Sequence, residues 1–227
     1  MNVLVLGLYA EGPTDYDFLP PVIRETAMQV LAQHEQSEMD TLVLPIEPLK
    51  DAKRNRNKNI LHAARSASGY HALIFHTDAD DDTQDKALSE RFQPACRLVR
   101  RAKGQVCKVL VPIIPVQAIE AWMLADYELL LKEIGTDMSI HNLGIPEKAK
   151  HVEQISKPKQ RLEEVVRIAY AGRSRRHRVL DTRSLYKAMG EQISLERLKE
   201  VPAYRQFVGD LTQLLINIDL IPRVYPL

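Results

Sequence analysis

With 227 residues, 45% hydrophobic and 27% charged, the chain is long and apolar enough to bury a sizeable core. A formal net charge of +1 excludes a bulk polyelectrolyte, and two cysteines, Cys96 and Cys107, without a CxxC or Cys/His partner exclude a zinc ribbon. No apolar stretch approaches membrane length, and Met1 runs into a strand without a basic leader, so a cytoplasmic protein with no membrane partner is expected.

The first half alternates strand and helix. Residues 3–10 read as a strand, and 15–33 as a helix with Phe18, Leu19, Val22, Ile23, Ala27, Val30 and Leu31 on one apolar face. A strand is predicted over 41–46, a polar basic loop over 50–58, a helix over 60–67 and a third strand over 71–77. Then come a helix over 84–102, a strand over 106–114 and a helix over 118–134 that Gly135 closes. Such alternation implies an α/β fold, a four-stranded and mainly parallel sheet with helices on both faces. From Pro146 onward only helical patterns stand out, over 158–170, 195–200 and 204–216. The expected organisation is a sheet domain over 1–135 and a helical region over 136–227 packed on it.

The acids are placed with unusual regularity. Glu11-Gly12-Pro13-Thr14-Asp15 follows the first strand, and four aspartates crowd into five positions, Asp78, Asp80, Asp81 and Asp82, after the third. Carboxyl ends of parallel strands are where ligands bind in open α/β sheets. Clustered carboxylates repel unless something cationic sits among them, and an all-oxygen donor set suits Mg²⁺, Mn²⁺ or Ca²⁺ rather than zinc. Asp78 and Asp80 are two apart, so on an extended segment they leave on the same side. Glu11 would face them as ligand or general base, and Glu120 opens a helix at the same edge. Metal ligation is thus assigned to Glu11, Asp78, Asp80 and Glu120, and catalysis to the first three. Asp82, Asp126 and His76 are outer candidates. Asp126 lies about 120° from the face of Glu120 and reads more simply as a helix-packing acid. Asp82, like Asp15 and Asp81, reads more simply as a cap or solvated loop residue, and His76 as a buried neutral histidine.

Basic residues favour a polyanionic substrate once an acidic metal centre is granted. Lys53, Arg54, Arg56 and Lys58 follow the second strand. Arg173, Arg175, Arg176 and Arg178 form a second run, whose plainer reading is a solvated loop.

An early Glu-Gly followed by Asp-x-Asp after a later strand resembles the TOPRIM fold of topoisomerases, primases and OLD-type nucleases. The segments Glu11–Leu19, Asp78–Asp82 and Pro115–Asp126, with Lys157-Pro158-Lys159 and Pro202–Phe207, resemble more closely an uncharacterised bacterial TOPRIM-related family associated with phage-defence loci. The resemblance implies that Glu11 is the TOPRIM glutamate and that Asp78 and Asp80 are its metal-binding aspartates. It implies a Mg²⁺- or Mn²⁺-dependent nuclease, or another phosphodiester-transfer enzyme, acting on DNA or RNA. No Walker A lysine motif is present. The alternative is therefore a non-catalytic or conditionally active partner of a separate ATPase in a defence complex. Nucleic acid, an ATPase subunit and a second copy of the chain are the partners these readings bring in.

Overall fold

Strand β1, Val3–Tyr9, sends Leu4, Leu6 and Leu8 to one side of the sheet and Gly7 and Tyr9 to the other. Both sides are buried, Leu4, Leu6 and Leu8 completely. That double burial is the condition of a parallel sheet sandwiched by helices, and it governs the whole architecture. The computed structural model describes residues 3–34, 36, 38–49, 55–171 and 182–223. Strands β2 (Asp40–Pro45), β3 (Ala72–His76) and β4 (Leu110–Ile113) join β1 in one sheet of order β2-β1-β3-β4. Every pairing is parallel: Leu6 lies opposite Val43 on one side and opposite Ala72 on the other. Leu73 pairs with Leu110. The expected α/β fold with four strands is thus observed, and the sheet is wholly parallel.

Two apolar layers cover it. Leu4, Leu6, Leu8, Ala72, Ile74, Val111 and Ile113 share one core with α1 (Asp15–Gln33) and with residues of the second half of the chain. Leu73, Phe75 and Tyr9 pack on the opposite side against α2 (Arg56–Ser66) and α4 (Gln93–Arg101). The helix expected over 84–102 is α3 (Asp85–Ala87), a π-helical turn over Leu88–Phe92, and α4. The helix expected over 118–134 is broken into α5 (Glu120–Ala125) and α6 (Tyr127–Ile134), which ends at Gly135 with a left-handed φ of 72°. Asp126 makes the break, because its carboxylate accepts the Leu129 N–H at 3.3 Å and the Ser194 N–H at 2.8 Å. An aspartate that bonds backbone in this way competes with helix continuation.

The second half is helical, as expected: α7 (Ile140–Leu143), α8 (Pro158–Tyr170), α9 (Thr182–Gln192), α10 (Leu195–Leu198) and α11 (Pro202–Asn217). Helix α9 escaped the sequence reading. Its apolar residues Leu185, Tyr186 and Met189 are buried in the same core as α1. Trp122 of α5 meets Tyr204 of α11 edge to face at 5.3 Å, and the Tyr204 hydroxyl lies 2.8 Å from Thr26 Oγ1 of α1. The C-terminal helices therefore close one side of the sheet.

Close packing of α9 on α1 depends on Gly190, where an added Cβ would lie 2.5 Å from the Phe18 carbonyl oxygen. Alanine gains up to about 1 kcal/mol over glycine within a helix, whereas overpacking against backbone costs about 1–3 kcal/mol. The clash should win. Urea unfolding of Gly190→Ala is expected to show lower stability than wild type, and an unchanged or raised midpoint would refute this packing.

Candidate metal and phosphate site

The order β2-β1-β3-β4 means that the chain leaves β1 to one side and returns to β3 on the other. The crevice between the carboxyl ends of β1 and β3 is thus a topological switch point, the usual ligand site of such sheets. Glu11 follows β1 and Asp78 follows β3. Glu11, Asp15, Asp78, Asp80 and Glu120 all line one cleft of about 670 Å³ there. The four carboxylates assigned from sequence as metal ligands therefore line one cleft. Lys157 and Lys159, at the start of α8, line it as well. Their proximity to the acids was not legible in the sequence, where Lys157-Pro158-Lys159 was only part of a resemblance.

The turn after β1 is built by two side chains. Asp15, buried rather than solvated, accepts the Gly12 N–H at 2.8 Å. The Tyr16 hydroxyl accepts the Ala10 N–H at 3.0 Å and lies 2.9 Å from the Ile46 carbonyl oxygen, tying the turn to the end of β2. Glu11 is left at the cleft. The loops after β3 and β4 are zipped together by backbone hydrogen bonds from Ala79 N–H to Pro115 O and from Asp80 N–H to Gln117 O. Asp80 and Gln117 both have left-handed backbones, with φ of 52° and 60°. Such conformations cost about 1–3 kcal/mol for non-glycine residues and gather at functional sites.

That left-handed residue changes one expectation. The segment is not extended at Asp80, so Asp78 and Asp80 take different partners. Asp78 Oδ1 accepts the Ile119 N–H at 3.1 Å, while Asp80 Oδ2 accepts from Arg91 at 2.8 Å. Both still line the cleft.

The sequence reading asked for a cation among the acids, and the chain supplies several. His76 is fully buried, with Nδ1 3.3 Å from Asp15 and Nε2 3.4 Å from Asp78. Neither contact is an aligned hydrogen bond, yet each ring nitrogen lies within ion-pair distance of a carboxylate. Burial alone would push the imidazole down, but Asp15 and Asp78 outweigh it and raise its pKa to about 9. The two carboxylates thus favour the imidazolium form of His76 over the neutral histidine expected. Arg56 pairs with Glu11, and Arg91 with Asp80. Glu120, 4% exposed, accepts the Tyr186 hydroxyl at 2.5 Å. Burial pushes its carboxyl up, and donation from Tyr186 offsets part of that rise.

The remaining sequence candidates lie apart or outside the described residues. Asp126 holds α6 to Ser194 and contacts Arg197 at 3.6 Å, away from the cleft. Asp82 accepts from the Gln117 side chain at 2.7 Å and steadies the loop pair. Lys58 is exposed on α2, whereas Arg56 reaches Glu11. Lys53, Arg54, Arg173, Arg175, Arg176 and Arg178 lie outside the described residues.

The donor set itself suits a hard divalent cation, since every carboxylate at the cleft offers oxygen. Among the described residues, however, no three Asp, Glu, His or Cys side chains converge as a ready cage. The reason is visible in the pairs above: Glu11 and Asp80 are turned to arginines, and Glu120 to Tyr186.

His76 gives the fold a pH dependence whose sign is fixed. Its pKa is raised from 6.5 to about 9. Its contribution is therefore full below about pH 6.5 and lost as pH rises through about 9, at up to about 1.4 kcal/mol per pH unit. With chelator present, chemical denaturation from pH 6.5 to 9 should show falling stability, and His76→Gln should flatten that slope. A wild-type profile that is flat or rises across this window would contradict an imidazolium at 76.

No curated protein and no solved structure matches the chain. The model of one family, described as a domain of unknown function (DUF4276), matches residues 10–212. That span takes in Glu11, the aspartates, Glu120 and both lysines, and the chain belongs to the DUF4276 family.

Proposed function

We propose that this protein is a Mg²⁺- or Mn²⁺-dependent nuclease or related phosphodiester-transfer enzyme of the cytoplasm, acting on DNA or RNA in the setting of phage defence. The observation that carries the reading is the meeting of Glu11, Asp78, Asp80 and Glu120 with Lys157 and Lys159 in one cleft at the switch point. Acids alone would repel a nucleic acid, and lysines alone would bind it without chemistry. The resemblance of the Glu-Gly and Asp-x-Asp segments to TOPRIM proteins supports the same assignment.

Asp78, Glu11 and Asp80, with Glu120, would hold the cation, which when bound would neutralise phosphate charge and make water more acidic. Lys157 and Lys159, lining the same cleft, would hold the substrate's phosphates as point charges. Glu120, whose carboxyl burial pushes up, retains or takes up a proton more readily than an exposed glutamate. Tyr186 fixes its orientation. His76, fully buried and paired with Asp15, braces Asp78.

Purified protein should cleave plasmid or single-stranded DNA or RNA when Mn²⁺ or Mg²⁺ is added. Asp78→Ala and Glu11→Ala should each lose at least about 100-fold in rate while remaining folded. Equal residual cleavage in wild type and both variants would identify a contaminant and end the enzymatic reading. Lys159→Ala should weaken oligonucleotide binding and shallow its salt dependence by about one unit of slope. A second observation, the engagement of Glu11 and Asp80 by arginines, favours the alternative of a conditionally active subunit of an ATPase-containing complex. Cleavage that appears only with a co-purifying ATPase would select it.

Metal binding also has a thermodynamic signature. A ligand that binds the native state alone stabilises it by about 2.7 kcal/mol at roughly a hundredfold its Kd. Millimolar Mg²⁺ or Mn²⁺ should accordingly raise the melting temperature of wild type and not of Asp78→Asn/Asp80→Asn. Melts independent of metal up to tens of millimolar would refute a preformed affinity for these ions.

A further inference from the structure

Arg56 and Arg91 come from different elements and converge on one buried hydroxyl. Arg56 opens α2, and Arg91 lies in the π-helical turn before α4. π-turns of this kind often occur at functional sites. Thr77 Oγ1, on a residue with no exposure, accepts from Arg56 Nη2 at 3.4 Å and from Arg91 Nη1 at 3.1 Å. Arg91 also donates to the Asp78 carbonyl oxygen at 2.6 Å. Two guanidinium groups this close repel, and the strain shows in Arg56, whose pKa burial and then Arg91 push down. Such a pair is stable only with anions beside it. In this structure the anions are Glu11 and Asp80.

Those two carboxylates are among the four assigned to the divalent cation, so ligating a cation and holding an arginine compete for the same oxygens. The guanidinium fork fits phosphate oxygens as well as carboxylate oxygens. A phosphate group that took the arginines would release the acids, and a cation that took the acids would release the arginines. We propose that Arg56 and Arg91 form a phosphate clamp closed on Glu11 and Asp80 in the ligand-free protein, so that a substrate phosphate and the divalent cation each favour binding of the other. This rests on the reading of the cleft as a site for both. It also accounts for the missing cage, since three ligands do not converge while two are held by the clamp. Thermodynamic coupling is reciprocal, and couplings between sites commonly amount to about 5- to 150-fold in affinity.

The test measures Mn²⁺ affinity, by the electron paramagnetic resonance signal of the free ion, with and without a phosphorothioate DNA oligonucleotide that resists cleavage. Wild type should bind Mn²⁺ about 5- to 150-fold more tightly when the oligonucleotide is present. Oligonucleotide affinity should rise by the same factor with Mn²⁺. Arg56→Gln/Arg91→Gln should bind Mn²⁺ alone more tightly than wild type, and the oligonucleotide should no longer change that affinity. Circular dichroism checks that the variant is folded; if it is not, the wild-type measurement decides alone. Mn²⁺ binding of equal strength with and without oligonucleotide would overturn the clamp and leave the metal site standing. No Mn²⁺ binding under either condition would overturn both.

Discussion

Parallel pairing of β1 with β3 is the constraint on which the site rests. Leu6, Gly7, Leu8 and Tyr9 lie opposite Ala72, Leu73, Ile74 and Phe75. Neither strand has an exposed face to slip toward, because Leu6, Leu8, Leu73, Ile74 and Phe75 are all fully buried. A shift of one residue would exchange the two apolar layers. Register is thereby fixed, and with it the distance between the two strand ends. Glu11 and Asp78 meet because the core forbids any other alignment.

Charge then has to be settled at that edge, and the settlement is local. His76 lies below, between Asp15 and Asp78. Arg56 and Arg91 lie beside Glu11 and Asp80. Glu120 is met by a neutral donor, Tyr186, and its burial favours the protonated form. Repulsion among carboxylates, the premise from which a metal was first inferred, is therefore relieved without one. What the cleft offers a cation is its oxygen donor set.

The sheet was legible because its signal is short-range. Apolar runs ending at Ala10 and Phe75 identify strands, and the acids that follow identify the edge. No local signal gives strand adjacency, and the observed order supplies it. Long-range features were hidden. Nothing local marks Lys157 as a neighbour of Glu120, or Tyr186 as its partner at a separation of 66 residues. Arg91 sits in a stretch that reads as uninterrupted helix, whereas in the structure it lies in a π-helical turn and reaches Thr77. Asp126 misled differently: its helical periodicity continues across the break, while its side chain terminates one helix and caps the next.

Energetics separate what this edge does for folding from what else it does. Burying an imidazolium between two carboxylates carries a desolvation cost of several kcal/mol per ion, and well-packed apolar residues of similar volume often serve stability as well or better. The left-handed backbones at Asp80 and Gln117 add strain on top. A fold whose remaining strand residues follow the apolar pattern so closely departs from it at the carboxyl ends of β1 and β3. Local departures from folding rules without a stabilising return are characteristic of functional sites. At the switch-point crevice these departures gather, and the residues that break the rules there line the cleft or touch those that do.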